Sequence, residues 1–341
     1  MENPGVKTGD CLIWMYLKMK LTRRNILKLS GLSCASAAVA GAVRAEGAGA
    51  PMSTPALPFA LTTPMHVDQA ALRVRDLASM TAYYTKVLGL KEIGRENGKV
   101  ILGAGNAPLL TLEHTPSADF ESQTAAGLFH IAYLMPTRKD LARWLVHAAM
   151  NQVPFTGFAD HNVSEAIYLN DPEGNGIEVY SDRPKDSWLW LGNSVTMGTE
   201  QLDIDNLVSL TDTSRDDYMV APSTLRIGHM HLRVGDVAEG RKFYETTIGM
   251  QLTRGERADA AFLSSGRYHH HVALNTWNSR GAGKRDTSQT GLDWFSLTVS
   301  DNAELKRQQE RLGAGGYAVS PVSGGIEAVD PWGTKLRLIG A

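Results

Sequence analysis

The sequence predicts an α+β fold made of four copies of one unit, a strand, a helix and then three more strands. Internal repetition is the first observation behind this. Leu72-Arg-Val-Arg-Asp-Leu77 corresponds to Leu232-Arg-Val-Gly-Asp-Val237, and Tyr83-Tyr-Thr-Lys-Val-Leu-Gly-Leu90 to Phe243-Tyr-Glu-Thr-Thr-Ile-Gly-Met250. The second is the punctuation of these repeats. An Asp ends each apolar strand and caps a helix, and a Gly closes that helix. The third is a pair of hairpin turns, Asp171-Pro172 with Asn175-Gly176, and Asp330-Pro331 with Gly333, each joining two apolar runs.

Taken in order, the chain opens with a segment, 1–50, that reads as a targeting signal. Thr22-Arg23-Arg24-Asn25-Ile26-Leu27-Lys28 is similar to a twin-arginine export signal, and an Ala- and Gly-rich apolar stretch follows from Leu29 to Val43. That stretch is too short and too weakly apolar for a good membrane span. Two small-x-small sites, Val43-Arg44-Ala45 and Ala48-Gly49-Ala50, are candidates for cleavage, and Met19 is a candidate start. The signal implies the twin-arginine machinery as a partner, a periplasmic location and no membrane anchor in the mature form. Both cysteines, Cys11 and Cys34, lie in this segment, so the mature chain has neither disulfide nor thiolate ligand.

Residues 51–65, rich in Pro, Thr and Ala, read as a linker. Two domains of two units each are expected after it. Residues 66–183 hold units 66–116 and 127–183, and residues 226–341 hold units 226–278 and 290–340. The stretch 184–225 is the connector. In unit two, Phe129–Met135 reads as the first strand and Arg138–Met150 as an amphipathic helix. In unit four, Trp294–Val299 and Ala303–Leu312 read the same way. A net charge of −2, with no long run of one sign, gives no push toward nucleic acid or an anionic membrane. The sequence leaves the oligomeric state open, a homo-oligomer included.

The hairpin of unit two carries the strongest chemical signal. Side chains alternate along a strand, so Glu178 in Ile177-Glu178-Val179-Tyr180 faces away from its apolar neighbours. A carboxylate within an apolar strand is costly unless it is paired or binds a metal. The stretch alone equally allows a Glu facing solvent on an edge strand.

His161, Ile167-Tyr168, Asp171-Pro172, Gly174 and Glu178 resemble the signature of extradiol ring-cleavage dioxygenases. That resemblance implies that Glu178 binds iron and that His161 and Tyr168 hydrogen-bond substrate and oxygen. Ala159 departs from it, since the family usually has Gly or a similar residue there. The four-unit pattern resembles the vicinal oxygen chelate superfamily, which includes glyoxalase I, bleomycin-resistance proteins and these dioxygenases. The resemblance implies βαβββ modules pairing into two half-open barrels, with metal ligands on the first and last strands of each unit.

Those positions are Gln69 and Glu113 in unit one, His130 and Glu178 in unit two, His229 and the run His269-His270-His271 in unit three, and Trp294 and Arg337 in unit four. Unit four cannot bind a cation, because an indole has no acceptor and a guanidinium is always charged. Oxygen-activating non-haem iron needs two His and one carboxylate on one face. His130, Glu178 and His229 supply that set if units two and three share a site. His231 is a competing ligand on the same strand face. The match of His269-His270-x-x-Ala273-Leu274 to a family motif implies that His270 is the acid–base. His66, His114 and His147 read as surface or packing residues.

The expectation is an Fe(II)-dependent extradiol dioxygenase of the catechol 2,3 type, with Mn(II) as the other candidate metal. Its substrates would be a small aromatic diol and O2, as in the catabolism of aromatic hydrocarbons. Two rivals stand beside it. One is a glyoxalase-like lyase or isomerase using Gln69, Glu113, His130 and Glu178. The other is a non-catalytic protein that binds a small aromatic compound.

Overall fold

The computed structural model describes residues 57–341, so the segment read as an export signal, 1–50, lies outside the described residues. Unit one comprises β1 (Met65–Val74), the helix Leu77–Leu88, β2 (Lys91–Glu96), β3 (Lys99–Ala104) and β4 (Ala107–His114). Unit two comprises β5 (Gly127–Leu134), the helix Arg138–Met150, β6 (Phe155–Asp160), β7 (Ser164–Asn170) and β8 (Gly176–Asp182). Two short strands, β9 (Trp190–Leu191) and β10 (Ser194–Val195), and the helix Ile204–Val208 occupy the connector. Unit three is β11 (Arg226–Arg233), the helix Val237–Arg241 continued by a wide turn over Lys242–Thr247, β12 (Gln251–Arg254), β13 (Ala260–Ser264) and β14 (Val272–Asn275). Unit four is β15 (Gly291–Val299), the helix Asn302–Ala314, β16 (Val319–Val322), β17 (Gly325–Val329) and β18 (Lys335–Gly340).

The expected caps explain where the helices begin. The Asp76 side chain accepts from the Ser79 N–H, and Asp236 does the same for the Glu239 N–H. Gly89 closes the first helix at φ +68°. A Cβ there would lie 2.6 Å from the backbone nitrogen of Ala221, so both conformation and space demand glycine.

The units assemble into two eight-stranded sheets of one topology. The first runs β16-β17-β18-β15-β1-β4-β3-β2 and the second β12-β13-β14-β11-β5-β8-β7-β6. Units one and four therefore share the first sheet, and units two and three the second. Each sheet takes one unit from 66–183 and one from 226–341. In both, two first strands pair antiparallel at the centre and each pairs parallel with the last strand of its own unit. This is the expected α+β arrangement of paired βαβββ modules in half-open barrels. One apolar core draws on all four units, through residues such as Leu72, Ile131, Leu232 and Phe295.

The two hairpin turns tie helix to sheet in the same way. Asp171 accepts from the backbone N–H groups of Glu173 and Asn175, and Asp330 from those of Trp332 and Thr334. The Tyr84 hydroxyl donates to Asp171 at 2.9 Å, and the Tyr244 hydroxyl donates to Asp330 at 3.1 Å. Burial raises both carboxyls to about 6. Tyr84 belongs to unit one and Asp171 to unit two, and Tyr244 to unit three and Asp330 to unit four, so each of these bonds joins the two sheets.

The stretch read as a linker is packed where it is described. Phe59–Thr62 forms a short 3-10 turn whose Phe59 ring meets Trp188 and Tyr268.

Candidate metal centre

The second sheet brings His130, Glu178 and His229 together at its middle. β5 lies between β8 and β11, and Ala132 on β5 is the register partner of both Glu178 and His229. His130, two residues away on the same face, completes the set. All three side chains are buried. His130 Nε2 is 3.0 Å from Glu178 Oε2, His229 Nε2 is 3.2 Å from the same oxygen, and the two Nε2 atoms are 3.4 Å apart.

This donor set fits a divalent cation. Ligand atoms about 2.1 Å from a shared ion, at near-right angles, lie about 3 Å from one another. Burial lowers His229 to about 4, so its ring is neutral at pH 7 and offers a lone pair. Burial pushes the Glu178 carboxyl up, but the adjoining His229 and His130 outweigh it and hold the group well below its ordinary range. An ionised carboxylate and imidazole nitrogens aimed at one point form a two-His, one-carboxylate arrangement. Among the described residues no other His, Cys, Asp or Glu group has ligand atoms so close together. His229 Nδ1 is buried without a hydrogen-bond partner among the described residues. Its ring is instead packed by Tyr180 at 4.9 Å and His270 at 4.1 Å between centroids.

His161 and Tyr168 stand beside this set. His161 Nδ1–H donates to the Gly198 carbonyl at 2.7 Å, so Nε2 accepts, and it lies 2.7 Å from the Tyr168 hydroxyl. Tyr168 is the register partner of Glu178 and lies in the same cavity. Burial, then the Glu178 charge, hold the phenol proton on Tyr168 far above neutral pH.

The three consecutive histidines separate into three environments. His271 is structural: Nε2 reaches the Ala60 carbonyl and Nδ1 reaches Ser264. His269 donates from Nε2 to Asp182 at 2.9 Å, so its Nδ1 accepts from His270 Nδ1–H at 2.8 Å. His270 is left with a bare Nε2, and it lines the cavity. Burial and the neighbouring histidines keep it well below the usual range and neutral.

His231 is not in the ligand set. Its Nε2 accepts from the Asn275 amide at 3.0 Å. The register also corrects the last-strand ligand position of unit three. Arg233 pairs with Asn275 as Arg73 pairs with Glu113, so Asn275 occupies the position expected for the His269–His271 run. That run precedes β14. Extending the alignment of Leu109-Leu-Thr-Leu-Glu113 onto the strand before Asn275 would have found this.

The four-residue set Gln69, Glu113, His130 and Glu178 is not assembled. Gln69 and Glu113 lie in the first sheet, where Gln69 donates to Asp68 and Glu113 pairs with Lys99 at 2.9 Å.

The site opens into a cavity of about 830 Å3. Phe129, Phe262 and Trp277 form one wall, and connector residues Met197–Thr199 another. Neither wall was recognised as such in the sequence. The connector carries no catalytic pattern, and it is held by backbone pairing of Asp160 with Glu200 and by Arg254 donating to the Met197 carbonyl.

Residues 66–179 and 226–333 match the family model of the Glyoxalase/Bleomycin resistance protein/Dioxygenase superfamily, and the chain belongs to that superfamily. A Bacillus subtilis (strain 168) protein named catechol-2,3-dioxygenase is 35% identical over 271 residues, covering 78% of this chain and 94% of that one. A solved structure of a candidate dioxygenase from Bacillus subtilis subsp. subtilis str. 168 is similar in fold. Its TM-score is 0.59 at 15% identity, over 82% of this chain and 86% of that one. Glyoxalase I from Zea mays is similar as well, with a TM-score of 0.52 at 18% identity, over 83% and 94%.

Proposed function

We propose that the protein is an Fe(II)-dependent extradiol dioxygenase that opens the ring of a catechol-type substrate. The observation that carries this is the buried triangle of His130, Glu178 and His229, with the bare Nε2 of His270 and the Tyr168 hydroxyl on the same cavity. The relative named catechol-2,3-dioxygenase supports it.

His130, Glu178 and His229 would hold the metal. Iron(II) held there would supply a Lewis-acid and electron-transfer centre for a diol and dioxygen. His270 accepts a diol proton at Nε2 and later returns it to oxygen. Asp182, acting through His269, keeps that nitrogen free. His161 Nε2 takes the Tyr168 O–H, which leaves the phenol oxygen as an acceptor toward a substrate hydroxyl. Phe129, Phe262 and Trp277 exclude water and receive the ring face. The signal read in residues 1–50 would take this chemistry to the periplasm.

The test is oxygen uptake by protein loaded anaerobically with Fe(II) and then given catechol in aerated buffer. One O2 consumed per catechol, with a yellow ring-opened product, is expected. Iron-loaded protein that consumes no oxygen would overturn the proposal.

A further inference from the structure

Phe129, His231 and Trp277 form a three-ring corner beside the metal position. Their centroids are 4.9 Å apart for Phe129 and His231, 5.2 Å for Phe129 and Trp277, and 5.4 Å for His231 and Trp277, all near edge-on. Trp277 is 45% exposed although it closes an apolar wall. A half-exposed indole at a cavity mouth is suited to cover a ligand ring.

The polar end of this corner is fixed by a short chain of hydrogen bonds. The Trp277 backbone N–H donates to Asn275 Oδ1 at 3.2 Å, which sets which end of the amide is the acceptor. Asn275 Nδ2 then donates to His231 Nε2 at 3.0 Å. A neutral imidazole that accepts at Nε2 carries its proton on Nδ1. His231 lines the cavity, and its Nδ1–H has no partner among the described residues.

We propose that His231 and its two aromatic neighbours form a substrate-orienting subsite. It selects aromatic diols that carry an oxygen acceptor on the ring carbon next to the diol. The Nδ1–H donates to that oxygen, and Phe129 and Trp277 hold the ring. The adjacent carbon is chosen because His231 lies beside the metal set, its ring 4.9 Å from that of His130. The size of the cavity admits a substituted ring, as about 300–1,000 Å3 is usual for small-molecule sites. The inference rests on reading the cavity as a diol site.

The test compares 3-methoxycatechol with 3-ethylcatechol, which match in size and differ in the acceptor oxygen. Calorimetric titration is run under argon on the metal-free protein and on protein loaded with Mn(II). The wild type should bind the methoxy compound roughly three- to tenfold more tightly, the span of one net hydrogen bond. His231→Phe keeps the aromatic wall and removes the donor, and should erase the preference by weakening only the methoxy compound. Asn275→Leu, which frees the tautomer, should shrink it. Equal binding of the two compounds by the wild type, or a preference unchanged in both variants, would overturn the subsite. The dioxygenase reading fails separately. Iron-loaded protein that prefers the methoxy compound but consumes no oxygen would retain the subsite and sink the enzyme.

Discussion

The two eight-stranded sheets have one topology and opposite centres. Structurally equivalent positions hold His229, His130, Glu178 and Asn275 in the second sheet, and Gln69, Trp294, Arg337 and Glu113 in the first. In the first sheet the Arg337 guanidinium lies 3.9 Å from the Trp294 ring centroid and donates to Glu327 at 2.8 Å. A protein cation stands where the second sheet offers a carboxylate to a metal. The Asp–Tyr turn clamps, by contrast, are the same in both. Scaffold and site are thus separable: the fold needs the clamps twice and the chemistry once.

The largest expected effect breaks the asymmetry directly. Glu178→Ala should lower oxygen uptake by roughly three orders of magnitude, since it removes the anionic ligand of a site that supplies several kcal/mol to the reaction. Metal analysis and oxygen uptake on the purified variant check this. Uptake within tenfold of wild type would mean that the reaction takes place elsewhere.

Asp182→Asn comes next. An amide can donate to His269 Nε2, which moves the His269 proton to Nδ1 and the His270 proton to Nε2, inside the cavity. A fall in kcat of about a hundredfold is expected, the usual weight of a positioned base, with metal content unchanged. Steady-state rates within twofold of wild type would contradict the wiring.

The clamps sharpen the other half of the comparison. Tyr84→Phe and Tyr244→Phe should each cost about 1.5–3 kcal/mol, and the two costs should be similar. Both hydroxyls favour the ionised form of Asp171 or Asp330, whose carboxyls sit at about 6 in the folded chain. The sign follows. Each cost should be small at pH 5, where the carboxyl is protonated, and should grow as the pH rises through about 6. Urea unfolding at pH 5 and pH 8 measures it. Arg337→Ala should do least, costing about 1 kcal/mol through a half-open cation–π contact and ion pair, with metal content unaltered.

Much of this was legible in the sequence. The Asp caps, the closing glycines and the two Asp-Pro turns placed all four units, because each is a local signal. Glu178 and His130 were legible as the last-strand and first-strand positions of unit two. Harder to read was what depends on register and long-range pairing. Which of His229 and His231 joins His130 and Glu178 depends on long-range pairing, with the other ring held by an amide, Asn275, far downstream. The run His269-His270-His271 looks uniform as letters. It divides into a link to Asp182, a ring that lines the cavity and a buried structural ring only once β8 and the Ala60 turn are packed against it. The connector residues Met197–Thr199 gave no signal, since they contribute a backbone carbonyl rather than a side chain.

The metal-to-chain ratio after anaerobic reconstitution and desalting tests the central claim most directly. One tightly held divalent ion per chain, lost in Glu178→Ala and kept in Arg337→Ala, is the predicted result. Two ions per chain, or one that survives Glu178→Ala, would contradict the assignment of the metal to the second sheet alone.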